Sequence, residues 1–350
     1  MTSRERVLCA LSGGTPDRVP YLELGVDEPI ISQLLGRAPA TDRPVESGEY
    51  ADNPVEVEKA LSRVLGRDHI RYILCPPLAA DRYPGEGNVL FYGDGWIKSR
   101  ADLDRLRLPD PTSDRLYAPA CEFLAQGEDF ALCASCRLGI SPTYLAMGQE
   151  FFSLALYDQP ELVDELLYLY TDWSAAVMKR VCTMGFDLVW TADDIAFKNG
   201  PLLSPKMFRE RILPHVRKVA ENITIPWIFH SDGNLTAVLD DLVDLGISGL
   251  HPVEPAAMDI RALNRRYGKR LCLIGNVDVN TLAAGTPAQV EAEVAGLLRD
   301  VAPGGGYMLS SGNSLASYCR VENIRAMVRT MERFGRYPIE VPASNPDQID

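Results

Sequence analysis

Short apolar runs alternate with longer amphipathic segments along the whole chain. Runs such as residues 72–74 and 227–229 are apolar at successive positions, as in strands that are buried on both faces of a parallel sheet. The longer segments carry apolar residues at a spacing of three to four, which is typical of amphipathic helices. The pattern predicts eight strands, over residues 18–26, 69–76, 130–139, 187–193, 226–232, 249–254, 270–278 and 306–313.

Capping signals mark several of the predicted helices. Residues 158–182 have apolar positions at helical spacing. Ser204-Pro205 and Thr286-Pro287 each place a hydroxyl residue directly before a proline, which is a typical helix start. A last helix is predicted over residues 323–334, because Gly335 follows it and favours a helix end.

A strand followed by a helix, repeated eight times, predicts an α/β fold of the (β/α)8 TIM barrel type, with a doubly wound open sheet as the alternative. Long polar stretches follow the first two strands, at residues 27–68 and 79–113. We interpret them as βα insertions over the active-site face. The chain length of 350 residues suggests two domains. The strand count instead predicts one barrel domain over residues 1–340 and a polar C-terminal tail over residues 341–350.

The balance of charged residues limits the classes of partner. The chain has 35 Lys and Arg against 48 Asp and Glu, a net charge of −13, which argues against binding to nucleic acid or to an anionic membrane. The sequence contains no apolar run of about 18 residues, so we expect no membrane span. The charged start does not resemble a signal peptide. Eight scattered cysteines are typical of a reducing compartment. Together these features predict a cytoplasmic protein whose partner is neither nucleic acid nor a membrane.

Polar residues collect at the carboxyl ends of the predicted strands, where barrel enzymes hold their active sites. So many ionisable side chains at strand ends are hard to explain as core packing. We predict catalytic roles for Asp193, His230, Asp232 and Glu254. We predict that the substrate contacts Glu23, Asp194, Lys198, Phe229, Gly275, Asn276, Asp278, Ser311 and Asn313.

His230 and Asp232 form the sharpest local signal, because residues two apart on a strand face the same side. An imidazole and a carboxylate on one face can bind a divalent metal, act as an acid/base pair, or form a structural hydrogen-bonded pair. These three alternatives stay open. Of the adjacent pair Asp193-Asp194, we expect one carboxylate to face the interior and the other to cap the next segment. Cys319 is a weaker candidate metal ligand, with burial as a small apolar residue as the simpler interpretation.

An ordered set of motifs resembles the uroporphyrinogen decarboxylase superfamily, which also includes the methylcobalamin:thiol methyltransferases. The set includes Pro16-Asp-Arg-Val-Pro20, Gly139-Ile-Ser-Pro142, Asp193-Asp194, Gly200-Pro-Leu-Leu-Ser-Pro205, His230-Ser-Asp-Gly233, Gly275-Asn-Val-Asp278, Val321-Glu-Asn323 and Tyr337-Pro338. The motifs run through nearly the whole chain. The resemblance implies a (β/α)8 barrel, in agreement with the strand count.

The resemblance implies less about activity. The decarboxylases hold substrate carboxylates with arginines after strand 1, where this chain has the acidic stretch Tyr21-Leu-Glu-Leu-Gly-Val-Asp-Glu. The methyltransferases hold zinc with a His-x-Cys pair and a later cysteine. His230 matches their histidine, Asp232 replaces the first cysteine, and residues 311–313 replace the second, with Cys319 several residues too late. The chain therefore resembles a divergent member nearer the methyltransferase branch.

Three hypotheses about function follow. The first is metal-assisted transfer of a methyl or one-carbon group, with zinc or another divalent metal held by His230 and Asp232 and any corrinoid carried by a separate partner protein. The second is a decarboxylase, a lyase acting on a small carboxylic acid other than uroporphyrinogen, in which Asp193 or Asp232 stabilises the intermediate. The third is a non-catalytic barrel that binds a small molecule. The substrate, the metal and the oligomeric state, a homodimer included, stay open at this point.

Overall fold

Strands and helices alternate along the chain, as the apolar pattern predicts. The computed structural model describes residues 1–38, 54–84, 90–127, 129–268 and 270–342. The strands are β1 (His69–Ile73), β2 (Ala80–Pro84), β3 (Leu90–Gly95), β4 (Ala131–Cys136), β5 (Leu188–Ala192), β6 (Ala196–Phe197), β7 (Gly200–Pro201), β8 (Trp227–His230), β9 (Gly249–His251), β10 (Cys272–Ile274) and β11 (Tyr307–Met308).

The helices include each of those that the capping signals predict. They are α1 (Ser3–Leu11), α2 (Glu28–Leu35), α3 (Val55–Leu65), α4 (Arg100–Leu103), α5 (Asp114–Leu124), α6 (Ile140–Met147), α7 (Gln149–Asp158), α8 (Pro160–Val181), α9 (Pro205–Met207), α10 (Leu213–Ala220), α11 (Leu239–Asp244), α12 (Ile260–Tyr267), α13 (Val279–Ala284), α14 (Pro287–Asp300) and α15 (Val321–Phe334). A π-helical segment, Phe208–Ile212, joins α9 to α10. Ser204 caps α9, and Thr286 forms a capping box on α14.

The chain divides into two compact units. The first consists of Met1–Pro39, Lys59–His69 and Gly249–Asp350, and the second of Ala40–Glu58 and Ile70–Ser248. Within the described residues, no helix combines the length and the apolar character that crossing a membrane requires.

The second unit is built on parallel strands that lie side by side in the order β1, β4, β5, β8. The register pairs Cys133 with Leu188 and Ala192 with His230. All four residues of β8 are buried, as expected for a strand that is covered on both faces. Helices α6, α7 and α8 connect β4 to β5, and α9 and α10 connect β5 to β8. This repetition of strand, helices and parallel strand confirms the α/β class.

The first unit contains the parallel strands β9, β10 and β11, in which Leu273 pairs with both Leu250 and Tyr307. The prediction of a continuous first strand over residues 18–26 is wrong. This segment makes isolated bridges, antiparallel from Arg18 to Arg336 and parallel from Tyr21 to Leu309 and from Val26 to Leu315. The amide of Tyr21 donates to the Asp68 carboxylate at 2.9 Å instead of to a neighbouring strand, so the ladder is interrupted.

The predicted insertions acquire secondary structure of their own. Residues 27–68 contain α2 and α3, and residues 79–113 contain α4 and the antiparallel hairpin of β2 and β3. Residues 39–53 and 85–89 of these insertions, and residues 343–350 of the predicted tail, lie outside the described residues. Closure into an eight-stranded barrel and the single domain over residues 1–340 stay predictions.

Candidate metal centre

Polar side chains follow three neighbouring parallel strands of the second unit. Arg137 comes directly after β4, Asp193 and Asp194 come after β5, and His230 is the last residue of β8, with Asp232 just beyond. Because parallel strands end at the same edge of a sheet, these residues share one edge.

The imidazole of His230 and the carboxylates of Asp194 and Asp232 converge at this edge. Nε2 of His230 lies 3.5 Å from Oδ1 of Asp194 and 3.8 Å from Oδ1 of Asp232, and one ligand atom from each residue falls within 4.8 Å of the others. In a tetrahedral site with bonds of about 2.1 Å, the ligand atoms are roughly 3.4 Å apart. The donor types and their spacing therefore fit a divalent metal such as zinc. We call these three residues the metal group.

The metal group is buried on one side and open on the other. The His230 side chain is 5% exposed, whereas those of Asp194 and Asp232 are 48% and 34% exposed. The amide of Asp232 donates to Oδ1 of Asp194 at 2.9 Å, so the two carboxylates are tied to each other through the backbone. A site with one open side has room for a substrate atom beside the protein ligands.

Burial favours the neutral form of the His230 imidazole over the charged form. Burial lowers the pKa of His230, and the charge of Arg137 lowers it further. The charges of Asp194 and Asp193 raise it, but burial has the largest effect. A neutral imidazole has a free nitrogen lone pair, which is the form that binds metal.

Asp193 has a different environment from Asp194. It is completely buried, and its carboxylate accepts hydrogen bonds from the amide of Leu138 at 2.6 Å and from the amide and hydroxyl of Ser141 at 2.8 and 2.9 Å. These contacts anchor the start of α6. We expected one member of the pair to cap the next segment, whereas Asp193 anchors the earlier helix α6 and Asp194 lies beside His230. The catalytic role predicted for Asp193 stays a prediction.

The other two predicted residues of the second unit are Lys198 and Phe229. Lys198 is exposed in the turn between β6 and β7. Phe229 is completely buried and packs edge-on against Trp227, with ring centroids 6.4 Å apart. Its side chain is part of the core.

A second polar cluster lies in the first unit and joins two predicted residues. The buried Glu23 carboxylate accepts hydrogen bonds from the amide of Ser311 at 3.0 Å and from its hydroxyl at 2.6 Å. The Ser310 hydroxyl lies 3.4 Å from Glu23 and 3.1 Å from Nε2 of His251. Burial raises the pKa of Glu23 to about 7, against the opposing effects of Ser311, Tyr21 and Arg67. Glu23 and Ser311 are both predicted substrate contacts, and Ser310 precedes Ser311 at the end of the same predicted strand.

Three other predicted residues of the first unit, Gly275, Asn276 and Asp278, have structural contacts. Asp278 caps α13 by accepting from the Asn280 amide at 2.8 Å. The buried Asn276 side chain donates to the carbonyl of Val253 at 2.7 Å. Gly275 has a φ of +144°, and a Cβ there would meet the carbonyl oxygen of Pro252 at 2.1 Å. Only glycine fits this position.

Glu254, Asn313 and Cys319 complete the predicted residues of the first unit. The Glu254 carbonyl accepts from the amides of Ala257 and Met258, and Asn313 is half-buried in the loop after β11. Cys319 is buried, and burial raises the pKa of its thiol to about 12. We searched the described residues for groups of three or more histidine, cysteine, aspartate or glutamate side chains whose ligand atoms lie close together. The search gives one such group, Asp194, His230 and Asp232.

Arg137 is the main residue that sequence reasoning missed at this edge. The predicted strand 130–139 runs past Arg137, whereas β4 ends at Cys136. Ending the apolar run at residue 136 would have placed Arg137 among the polar strand-end residues.

Comparison with known proteins gives the family. The uroporphyrinogen decarboxylase (URO-D) family model matches residues 93–334. Over 175 residues, 50% of each chain, this protein is 27% identical to the methylcobamide:CoM methyltransferase MtaA of Methanosarcina barkeri, so it spans about half the length of that relative. Over 253 residues it is 26% identical to the uroporphyrinogen decarboxylase of Methylococcus capsulatus. This matched region covers 68% of this chain and 70% of that protein.

Solved structures share the fold. A methyltransferase from Methanosarcina mazei superposes with a TM-score of 0.75 at 22% identity, covering 95% of this chain and 99% of that one. A B12-independent methionine synthase from Shewanella sp. W3-18-1 gives a TM-score of 0.54 at 10% identity, covering 93% and 98%. The family match extends over more than half of the chain and includes every residue of the metal group, which confirms the resemblance seen in the motifs. This chain belongs to the uroporphyrinogen decarboxylase (URO-D) family.

Proposed function

We propose that this protein transfers a methyl or other one-carbon group to or from a small molecule, assisted by a divalent metal held by Asp194, His230 and Asp232. The observation that carries the proposal is the convergence of one imidazole and two carboxylates at a single strand edge, within 4.8 Å of one another. The similarity to MtaA and the shared fold with a methyltransferase support methyl transfer as the chemistry.

The metal group fits this chemistry. A bound zinc or similar ion supplies a Lewis acid that polarises the acceptor or donor atom. His230 supplies a neutral nitrogen ligand, and the two carboxylates supply negative charge without a thiolate, which makes the set harder than one built on cysteine. Asp194, which is half-exposed, is placed to take up the proton that a thiol or hydroxyl acceptor loses and to pass it to water.

The proposal extends to the methyl donor. The name of MtaA refers to a methylcobamide, so we propose a corrinoid donor that a separate partner protein carries. The acceptor is a small molecule that enters through the open side of the metal group. Catalytic contributions from Asp193 and Glu254, substrate contacts at the other strand ends, and a homodimer stay predictions from the sequence.

Metal analysis is the direct test. After reconstitution with zinc or manganese and removal of excess metal, we expect about one ion per chain in the wild type. His230→Ala and Asp232→Ala each remove one of three protein ligands, so both variants should hold far less metal than the wild type by elemental analysis. Glu161→Ala, at an exposed acid at the start of α8, is the control and should match the wild type. A wild type that stays metal-free after reconstitution would rule out the metal mechanism.

Decarboxylation of a small acid is the second candidate. It is favoured by the match to the M. capsulatus decarboxylase, which extends over a longer part of the chain than the match to MtaA. Two assays separate the candidates. Methylcobalamin consumption with a panel of thiols, dependent on metal and on His230, supports methyl transfer. Carbon dioxide release by metal-free protein, absent in Asp232→Asn, supports decarboxylation.

A further inference from the structure

The two segments that carry the carboxylates of the metal group lie side by side. The first segment, residues 194–197, comes after β5 and includes β6, and the second segment, residues 231–234, comes after β8. The amide of Asp232 donates to Oδ1 of Asp194 at 2.9 Å. This bond uses the oxygen that also faces the His230 imidazole, so a bound ion would draw on the same atom.

The hydroxyl of Ser231 joins the segments without using a ligand atom of the metal group. It accepts from the amide of Ile195 at 3.0 Å and donates to the carbonyl of Asp232 at 2.8 Å. Because Ile195 directly follows Asp194, this one hydroxyl contacts the backbone beside both carboxylates. Ser231 is completely buried, so bulk water does not compete for these bonds.

Glycine at position 233 lets the segments approach each other closely. Gly233 has a φ of +84°, and a Cβ there would meet the carbonyl carbon and oxygen of Ala196 at 2.6 Å. One residue further on, the amide of Asn234 donates to the carbonyl of Phe197 at 2.8 Å. The two segments thus meet at each of their four residues, and protein groups alone make these contacts.

We propose that Ser231 is a positioning residue for the metal group: its hydroxyl holds the two segments together, so that both carboxylates face His230 when a metal binds. The consequence for the metal rests on the proposed function, whereas the link between the segments does not. Ligands that are held by surrounding hydrogen bonds need not be ordered by the ion itself. Loss of such an outer contact lowers metal affinity about 10- to 100-fold in other proteins.

Zinc affinity tests the consequence for the metal, by competition with a chromogenic zinc chelator on the full chain. Ser231→Ala should weaken zinc binding about 10- to 100-fold, and Ser231→Thr, which keeps the hydroxyl, should bind more tightly than Ser231→Ala. Ser62→Ala is the matched control. The buried Ser62 hydroxyl likewise donates to a carbonyl, that of His69, and accepts from an N–H group, Nε of Arg67. This control loses the same kinds of bond and should keep the wild-type zinc affinity.

Amide hydrogen exchange tests the link itself, on protein from which a chelator has removed metal. In Ser231→Ala the buried amide of Ile195 loses its acceptor, so it should exchange about tenfold faster than in the wild type. The amide of Val189, which donates to the carbonyl of Pro226 at 2.9 Å, is the internal reference and should keep its rate. An unchanged Ile195 rate in Ser231→Ala overturns the proposal.

The two measurements separate this proposal from the proposed function. If the wild type binds no zinc but Ser231→Ala exposes the Ile195 amide to exchange, the metal mechanism fails and Ser231 still positions the two carboxylates. If the wild type binds zinc and a folded Ser231→Ala variant binds it equally well, the proposed function stands and the positioning role is overturned.

Discussion

Burial changes the chemistry of single carboxyl groups in this protein. Glu23 lies in a buried position among Ser310, Ser311 and Tyr21, with Arg67 as the charge that lowers its pKa. Burial still raises its pKa from 4.5 to about 7, so the carboxyl group changes its charge near neutral pH. The folded state holds the Glu23 proton more tightly than the unfolded chain does.

This shift predicts a pH dependence of stability. The contribution of neutral Glu23 is fully present below pH 4.5 and is lost as the pH rises through about 7. Raising the pKa of Glu23 from 4.5 to about 7 corresponds to roughly 3 kcal/mol. Glu23→Gln stays neutral, so the stability of the wild type relative to this variant should fall by about that amount between pH 4.5 and 8. Urea unfolding across this range measures the difference, and a constant difference contradicts the shifted pKa.

At the scale of elements, adjacent residues in a loop after a strand have different partners. Asp193 and Asp194 both follow β5, but the donors at the start of α6 occupy the first while the second faces His230. The apolar run before them predicts β5 and the polar pair, yet not which carboxylate would meet the α6 donors. That depends on a segment more than 50 residues earlier in the chain.

Matched variants separate these two roles. In Asp193→Asn, one buried N–H group loses its acceptor and faces an amide instead, so we expect a loss of about 1–3 kcal/mol in the free energy of unfolding. Asp194→Asn affects a half-exposed side chain and should leave stability within about 0.5 kcal/mol of the wild type, while it reduces zinc binding. Denaturant unfolding and metal analysis on both variants test this. Equal loss of stability in both would contradict the assignment.

At the scale of the whole molecule, metal binding is coupled to folding. The unfolded chain does not hold Asp194, His230 and Asp232 together, so an ion that binds the native state raises its stability. At a zinc concentration about 100 times the dissociation constant, the gain is about 2.7 kcal/mol.

Zinc should therefore raise the melting temperature of the wild type by several degrees. His230→Ala lacks the imidazole ligand and should show a much smaller rise in the same calorimetric or fluorescence scan. Magnesium, which prefers all-oxygen octahedral sites, serves as the control ion. The same zinc-dependent rise in the wild type and in His230→Ala would place the stabilising ion elsewhere.

The sequence by itself determined the α/β class, most of the strand positions and the family, and it singled out His230 and Asp232 of the metal group. These features are encoded locally, because apolar spacing reports burial and strand-end chemistry appears directly in the order of residues. Only the tertiary structure decided that Asp194 rather than Asp193 meets His230, that Arg137 lies at the same edge, and that residues 18–26 form bridges instead of a strand. Each of these depends on hydrogen-bond partners supplied from distant parts of the chain, such as Ser141 for Asp193 and Asp68 for Tyr21. No local pattern of residues specifies such a partner.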